Sequence, residues 1–188
     1  LHDEGVDGDN ATVVVIDEGF DTNEPRIADN VVEARGFGTT VGASPKHGTA
    51  SAEMVLDVAP EADLYLAAVA NSIGYRNALD WAVENDADVV TMSLGFLGQP
   101  NDGTGPLSQK ANQAVEEGGF VFTTSTGNQA DRHWQGDFTD PDGDNLLDFN
   151  SEGMEVNYLN SNGGMSSPIS AGTPLSVVLN WDDWSVAS

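Results

Sequence analysis

The chain has 188 residues, 39% of them hydrophobic, with 21 glycines and no cysteine. That is enough for one full domain, or for one domain and part of another, and it excludes disulfides, thiolate metal sites and cysteine nucleophiles. Six Lys+Arg against 31 Asp+Glu give a net charge of −25, which argues against nucleic acid and anionic membranes as partners, since phosphate contacts need cationic side chains.

The carboxylates are dispersed between apolar runs, so an acidic surface on a folded domain is expected rather than an acidic tail. Proteins of high-salt environments carry such lysine-poor surfaces, whose self-repulsion salt screens. No run approaches the ~18 apolar residues of a membrane span. Leu1 opens into polar sequence without a visible signal peptide, and Ser188 ends the chain in mid-pattern, as a processed or trimmed chain would.

In chain order, Ala11 to Ile16 is a β-branched run ending at Asp17-Glu18-Gly19, the signature of a strand buried on both faces. His47-Gly48-Thr49 opens a short helix from Ala50 to Leu56. Asp63 to Val69 is a second strand, followed by a helix over Ile73 to Glu84 with Ser72 as its expected N-cap. Ala87 to Met92 is a third strand. Leu107 to Glu117 is a helix ended by Gly118-Gly119, and Phe120 to Thr124 is a fourth strand. Strands alternating with helices at this spacing predict an α/β fold with a doubly wound parallel sheet. Reactive residues collect beyond the carboxyl ends of such strands, where Asp17, Ser93 and Ser125 stand. From residue 131 the helical period is lost and turn residues separate short β-prone runs. Residues 131–188 therefore read as a β-rich module, with Pro174 to Trp181 its clearest strand.

Taken singly, the polar segments at strand ends are weak signals: an Asp after a strand is usually a turn residue, and Gly-Asn is a common turn. Their order is specific. Val14-Val15-Ile16-Asp17-Glu18-Gly19-Phe20, then His47-Gly48-Thr49-Ala50, Val58-Ala59-Pro60-Glu61-Ala62-Asp63-Leu64, Asp88-Val89-Val90-Thr91-Met92-Ser93-Leu94-Gly95 and Phe122-Thr123-Thr124-Ser125-Thr126-Gly127-Asn128 resemble, in sequence, five motifs of the subtilase family of serine proteases. The resemblance covers residues 11–130, and residues 1–130 are the expected N-terminal part of a catalytic domain. It implies that Asp17 orients His47, that His47 is the general base and then the general acid, and that Asn128 donates to the oxyanion. It further implies that the backbones of Ser93, Leu94 and Gly95 and of Ser125, Thr126 and Gly127 line a cleft binding an extended polypeptide. The chemistry requires no cofactor, and a secreted, extracellular enzyme is expected. The sequence departs from the family at Glu18, where Ser or Thr is usual.

The family's nucleophile sits in a Gly-Thr-Ser-Met-Ala-like segment, and this sequence contains none. The nearest text, Gly163-Gly164-Met165-Ser166-Ser167-Pro168, has Ser after Met and no helical run behind it, so Ser166 and Ser167 read as loop serines. Two explanations stand: a chain trimmed ahead of its serine, or a natural pseudoprotease that holds a peptide or glycan. Joint retention of Asp17, His47 and Asn128 favours the first. Residues 131–188 would then be a jelly-roll-like insertion between the oxyanion Asn and the Ser.

Asp140-Pro141-Asp142-Gly143-Asp144-Asn145-Leu146-Leu147-Asp148 spaces Asp140, Asp142, Asp144 and Asp148 as calcium loops space their oxygen ligands. The glycine is misplaced for an EF-hand. Both a structural calcium site and a solvated acidic turn are consistent with this text.

Overall fold

The computed structural model describes residues 5–100, 102–128, 135–149, 155, 172, 174 and 177–180. The chain divides into two compact units, Leu1–Thr126 with Val178–Ser188, and Gly127–Val177.

The first unit is built on five strands: β1 (Thr12–Asp17), β2 (Val31–Phe37), β3 (Asp63–Val69), β4 (Val89–Met92) and β5 (Val121–Thr124). All pair in parallel, in the order β2-β3-β1-β4-β5. The three helices are α1 (Pro45–Val58), α2 (Ser72–Glu84) and α3 (Pro106–Gly118). None of the described helices is long and apolar enough to cross a membrane.

Alternation along β1 sets the two faces of the sheet. Val14 and Ile16 pack with Ala78, Leu79 and Trp81 of α2 and Ala111 and Ala114 of α3. Val13 and Val15 point the other way, into a cluster with Ala52 and Leu56 of α1 and with Phe20 and Ile27. Each fully buried Val or Leu contributes about 1.5–3 kcal/mol by leaving water. Trp81 anchors the α2 face, its ring 5.7 Å from Phe37 and 5.6 Å from Tyr65. With helices on both faces and β1 at the centre, the chain winds first to one side of β1 and then to the other. The carboxyl ends of β1 and β4 therefore border the point where the winding reverses.

The expected α/β class with a parallel sheet is what the first unit adopts; along the chain, four local differences from the expected elements occur. β2 is an additional strand at the sheet edge. Its pattern is mostly half-buried or exposed, with Glu33 and Arg35 outward, so it carries no apolar run to announce it. α1 begins at Pro45 rather than at residue 50, because proline suits the first helical position, where its missing N–H costs nothing. The cap of α2 is Asn71 and not Ser72: the Asn71 Oδ1 accepts the N–H groups of Ile73 and Gly74, each at 3.0 Å. Finally, Pro174 and residues 177–180 form no strand; Val177, Val178 and Leu179 are exposed and lie in no ladder. The other positions of that expected strand lie outside the described residues.

In the second unit the described residues carry no helix or strand. Thr139 and Asp148 pair through their backbones at 2.8 Å, closing the turn between them.

Candidate active site

Asp17 is the last residue of β1 and follows Val13 and Val15 on the face toward α1. His47 lies in the first turn of that helix. The sheet's two-residue period and the helix start thus bring the two side chains together. His47 Nδ1 stands 2.8 Å from Asp17 Oδ1 and 2.9 Å from Oδ2. Asp17 is fully buried, whereas the His47 side chain is 58% exposed. With its Nδ1–H donated to the carboxylate, the neutral ring presents Nε2 as an acceptor.

A buried carboxylate needs further donors to be tolerated. Asp17 has two: the Glu18 N–H donates to Oδ1 at 2.8 Å, and the Ser51 hydroxyl approaches Oδ2 at 3.2 Å. Ser51 also lies 3.1 Å from the His47 carbonyl, one helical turn back. No sequence motif singles out Ser51. Its signal was the spacing, since a residue four after His47 lies on the same helix face.

Glycine lets α1 approach this closely. A Cβ on Gly48 would lie 2.2 Å from the Gly19 carbonyl oxygen, 2.8 Å from the Phe20 ring and 2.9 Å from the Asp17 Cβ. Behind it, the buried Thr49 accepts the Asp21 N–H at 2.9 Å and donates to the Pro45 carbonyl at 2.6 Å, tying the loop after β1 to the start of α1.

Ile16 is in register with Met92, so Ser93, Leu94 and Gly95 leave β4 level with Asp17. They run on without regular structure, Ser93 and Gly95 exposed and Leu94 half-buried. Leu94, Gly95 and Phe96 line an open cavity of about 160 Å³ together with Glu18, Val69, Ala70 and Asn71. Ser125 continues β5, its N–H donating to the Met92 carbonyl at 3.1 Å, and Ser125 and Thr126 are exposed. Gly127 and Asn128, also exposed, open the second unit. Ser166 and Ser167 lie outside the described residues.

In the second unit, Asp140, Asp142 and Asp148 each offer an oxygen within 4.8 Å of the others, and Asp142, Asp144 and Glu155 form a second such group. Glu155 was not among the sequence candidates. Asp148 is only 3% exposed, and neither of its carboxylate oxygens has a hydrogen-bond partner. Burial, then the charges of Asp142, Asp140 and Asp144, push its carboxyl above the usual carboxylate range. The charge of Asp144, burial and the charges of Asp142 and Asp148 push Glu155 the same way.

Comparison with known proteins gives one consistent result. The model of the subtilase family matches residues 8–177. Subtilisin E of Bacillus subtilis (strain 168) is 32% identical over 151 residues, which are 69% of this chain and 37% of that protein. The major intracellular serine protease of the same organism is 30% identical over 150 residues, 68% of this chain and 46% of that protein. The chain thus spans less than half the length of these two relatives. Among solved structures, a lanthipeptide protease aligns with a TM-score of 0.58 at 22% identity, covering 67% of this chain and 42% of that one; this likeness concerns the fold.

Proposed function

Since this chain belongs to the subtilase family, we propose that it carries the acid–base half of a serine endopeptidase that cleaves polypeptides through an acyl-enzyme. The observation behind this reading is the buried Asp17 held against Nδ1 of an exposed His47. In the proposed reaction, His47 Nε2 takes the proton of a serine hydroxyl as its oxygen attacks the scissile carbonyl carbon. Asp17 keeps the ring in the required tautomer and stabilises the imidazolium. The Asn128 side-chain amide donates to the developing oxyanion. His47 then returns the proton to the departing amine, leaving an acyl-serine that water hydrolyses by the same route. Substrate would lie extended along Ser93, Leu94 and Gly95 and along Ser125, Thr126 and Gly127, adding itself as a strand. No step calls for a metal or an organic cofactor. Neither nucleic acid nor a membrane enters as a partner, consistent with the charge of −25.

The nucleophile belongs to a Gly-Thr-Ser-Met-like segment that is not in this sequence, and residues 131–188 would be an insertion ahead of it, in which the described residues form no strand. The acidic surface fits a salt-rich exterior, and the enzyme is placed outside the cell; recovery from the cytosolic fraction alone would contradict that location.

Assays of the 188-residue chain and of the protein encoded by its whole gene test the reading. The 188-residue chain should neither hydrolyse peptide esters nor be labelled by serine-directed phosphonates, whereas the whole protein should do both. In the whole protein, Asp17→Asn should lower kcat on the order of 10⁴-fold and Asn128→Ala roughly 10²- to 10³-fold, the sizes known for such positions in subtilisin. Labelling of the 188-residue chain would mean that the nucleophile has been misplaced. A whole protein that binds peptides without cleaving them would be the pseudoprotease to which the missing segment also points.

A further inference from the structure

We propose that the turn from Asp140 to Asp148 is a calcium site whose organising ligand is the buried carboxylate of Asp148. Buried carboxylates are normally paired, hydrogen-bonded or bound to metal. Asp148 is buried with both oxygens unpartnered, in a cluster of acidic groups to which, among the described residues, no Lys or Arg forms a salt bridge. Protonation would remove its own charge but leave those of the neighbouring Asp140, Asp142 and Asp144 repelling one another. A cation answers both deficits at once.

The spacing fits. Calcium–oxygen bonds of about 2.3–2.6 Å place any two ligands of one ion within roughly 4.6–5.2 Å of each other. The oxygens offered by Asp140, Asp142 and Asp148 lie within 4.8 Å. The turn holds its ligands without using Asp148. Asp140 accepts the N–H groups of Gly143, Asp144 and Asn145 at 2.7–3.0 Å, and Asp144 accepts that of Leu146 at 2.8 Å. Gly143 and Asn145 take φ of 76° and 70°, which bends the chain back over the cluster. Asp148 itself is fixed through its backbone, with the Thr139 hydroxyl donating to its carbonyl at 2.9 Å. An irregular, all-oxygen, carboxylate-rich set suits calcium better than magnesium, which demands near-octahedral ligands and keeps its waters. The second group, Asp142, Asp144 and Glu155, is wholly exposed and is not required.

Calorimetric titration of the chelator-stripped 188-residue chain with calcium chloride tests the site, in concentrated potassium chloride to screen the acidic surface. The expected result is saturable binding of calcium that Asp148→Asn and Asp142→Asn each weaken by about tenfold or more. Glu61→Gln, which removes an exposed carboxylate of the first unit, should change nothing. Circular dichroism shows whether Asp148→Asn still folds; if it does not, Asp142→Asn decides. Binding that never saturates, or that is equally tight in the variants, would overturn the proposal, since it would be diffuse counterion attraction.

Discussion

The first unit hides its side chains in two apolar clusters, one on each face of a five-stranded sheet, whereas the second buries a single residue among those described, and that residue is Asp148. Apolar burial is non-directional and stabilises wherever shapes fit. A buried carboxylate is stabilising only when its partners are in place. Asp17 shows the satisfied case within the first unit, with donors from His47, Glu18 and Ser51. Asp148 shows the unsatisfied one. The same residue type thus marks a finished polar site in one unit and an invitation to a ligand in the other.

Three experiments sharpen this contrast on the side of the first unit. Gly48→Ala should have the largest effect, because its Cβ would meet the Gly19 carbonyl and the Asp17 side chain. Overpacking of this kind costs about 1–3 kcal/mol, so the melting temperature of the variant should fall by several degrees; an unchanged melting curve would show that α1 is not held as closely as described. Asn71→Ala removes the cap of α2 and should cost about 1 kcal/mol in chemical denaturation, while Ser72→Ala should cost less, since Ser72 is not the cap. The smallest effect near neutrality comes from Tyr75, whose hydroxyl burial pushes up to about 12. Here the unfolded chain loses its phenolic proton first, near the ordinary value of 10.0. Stability is therefore flat below that pH and falls as pH rises from about 10 towards 12. In Tyr75→Phe that alkaline decline should shrink.

Much of the first unit was legible because its signals are local. The run Val13 to Ile16 is apolar throughout, as a strand covered by helices on both faces must be, and Gly119, in the left-handed region at φ 71°, ends α3 where the glycine pair foretold. Asp17 and His47 could be paired from motif order, although their contact depends on a register that no local pattern reveals. β2 was not legible, since an exposed edge strand has no reason to alternate cleanly and the charged Glu33 and Arg35 disguise it. Asn71 and Ser72 are both good cap residues, so only the hydrogen bonds separate them. Among the described residues, Val177 to Leu179 do not form the expected strand, and β propensity alone does not make one, since it reflects packing against neighbouring strands that composition does not specify. In the acidic turn the spacing of aspartates was visible, but the burial that sets Asp148 apart from the others was not.

Nitrogen-15 NMR of the His47 ring in the 188-residue chain tests most directly the pairing of Asp17 with His47. At a pH of about 9, where an ordinary imidazole is neutral, the proton should reside on Nδ1, with Nε2 bare, and Asp17→Asn should abolish that preference. A ring protonated at Nε2, or a tautomer indifferent to Asp17→Asn, would contradict the assignment of His47 as an oriented base.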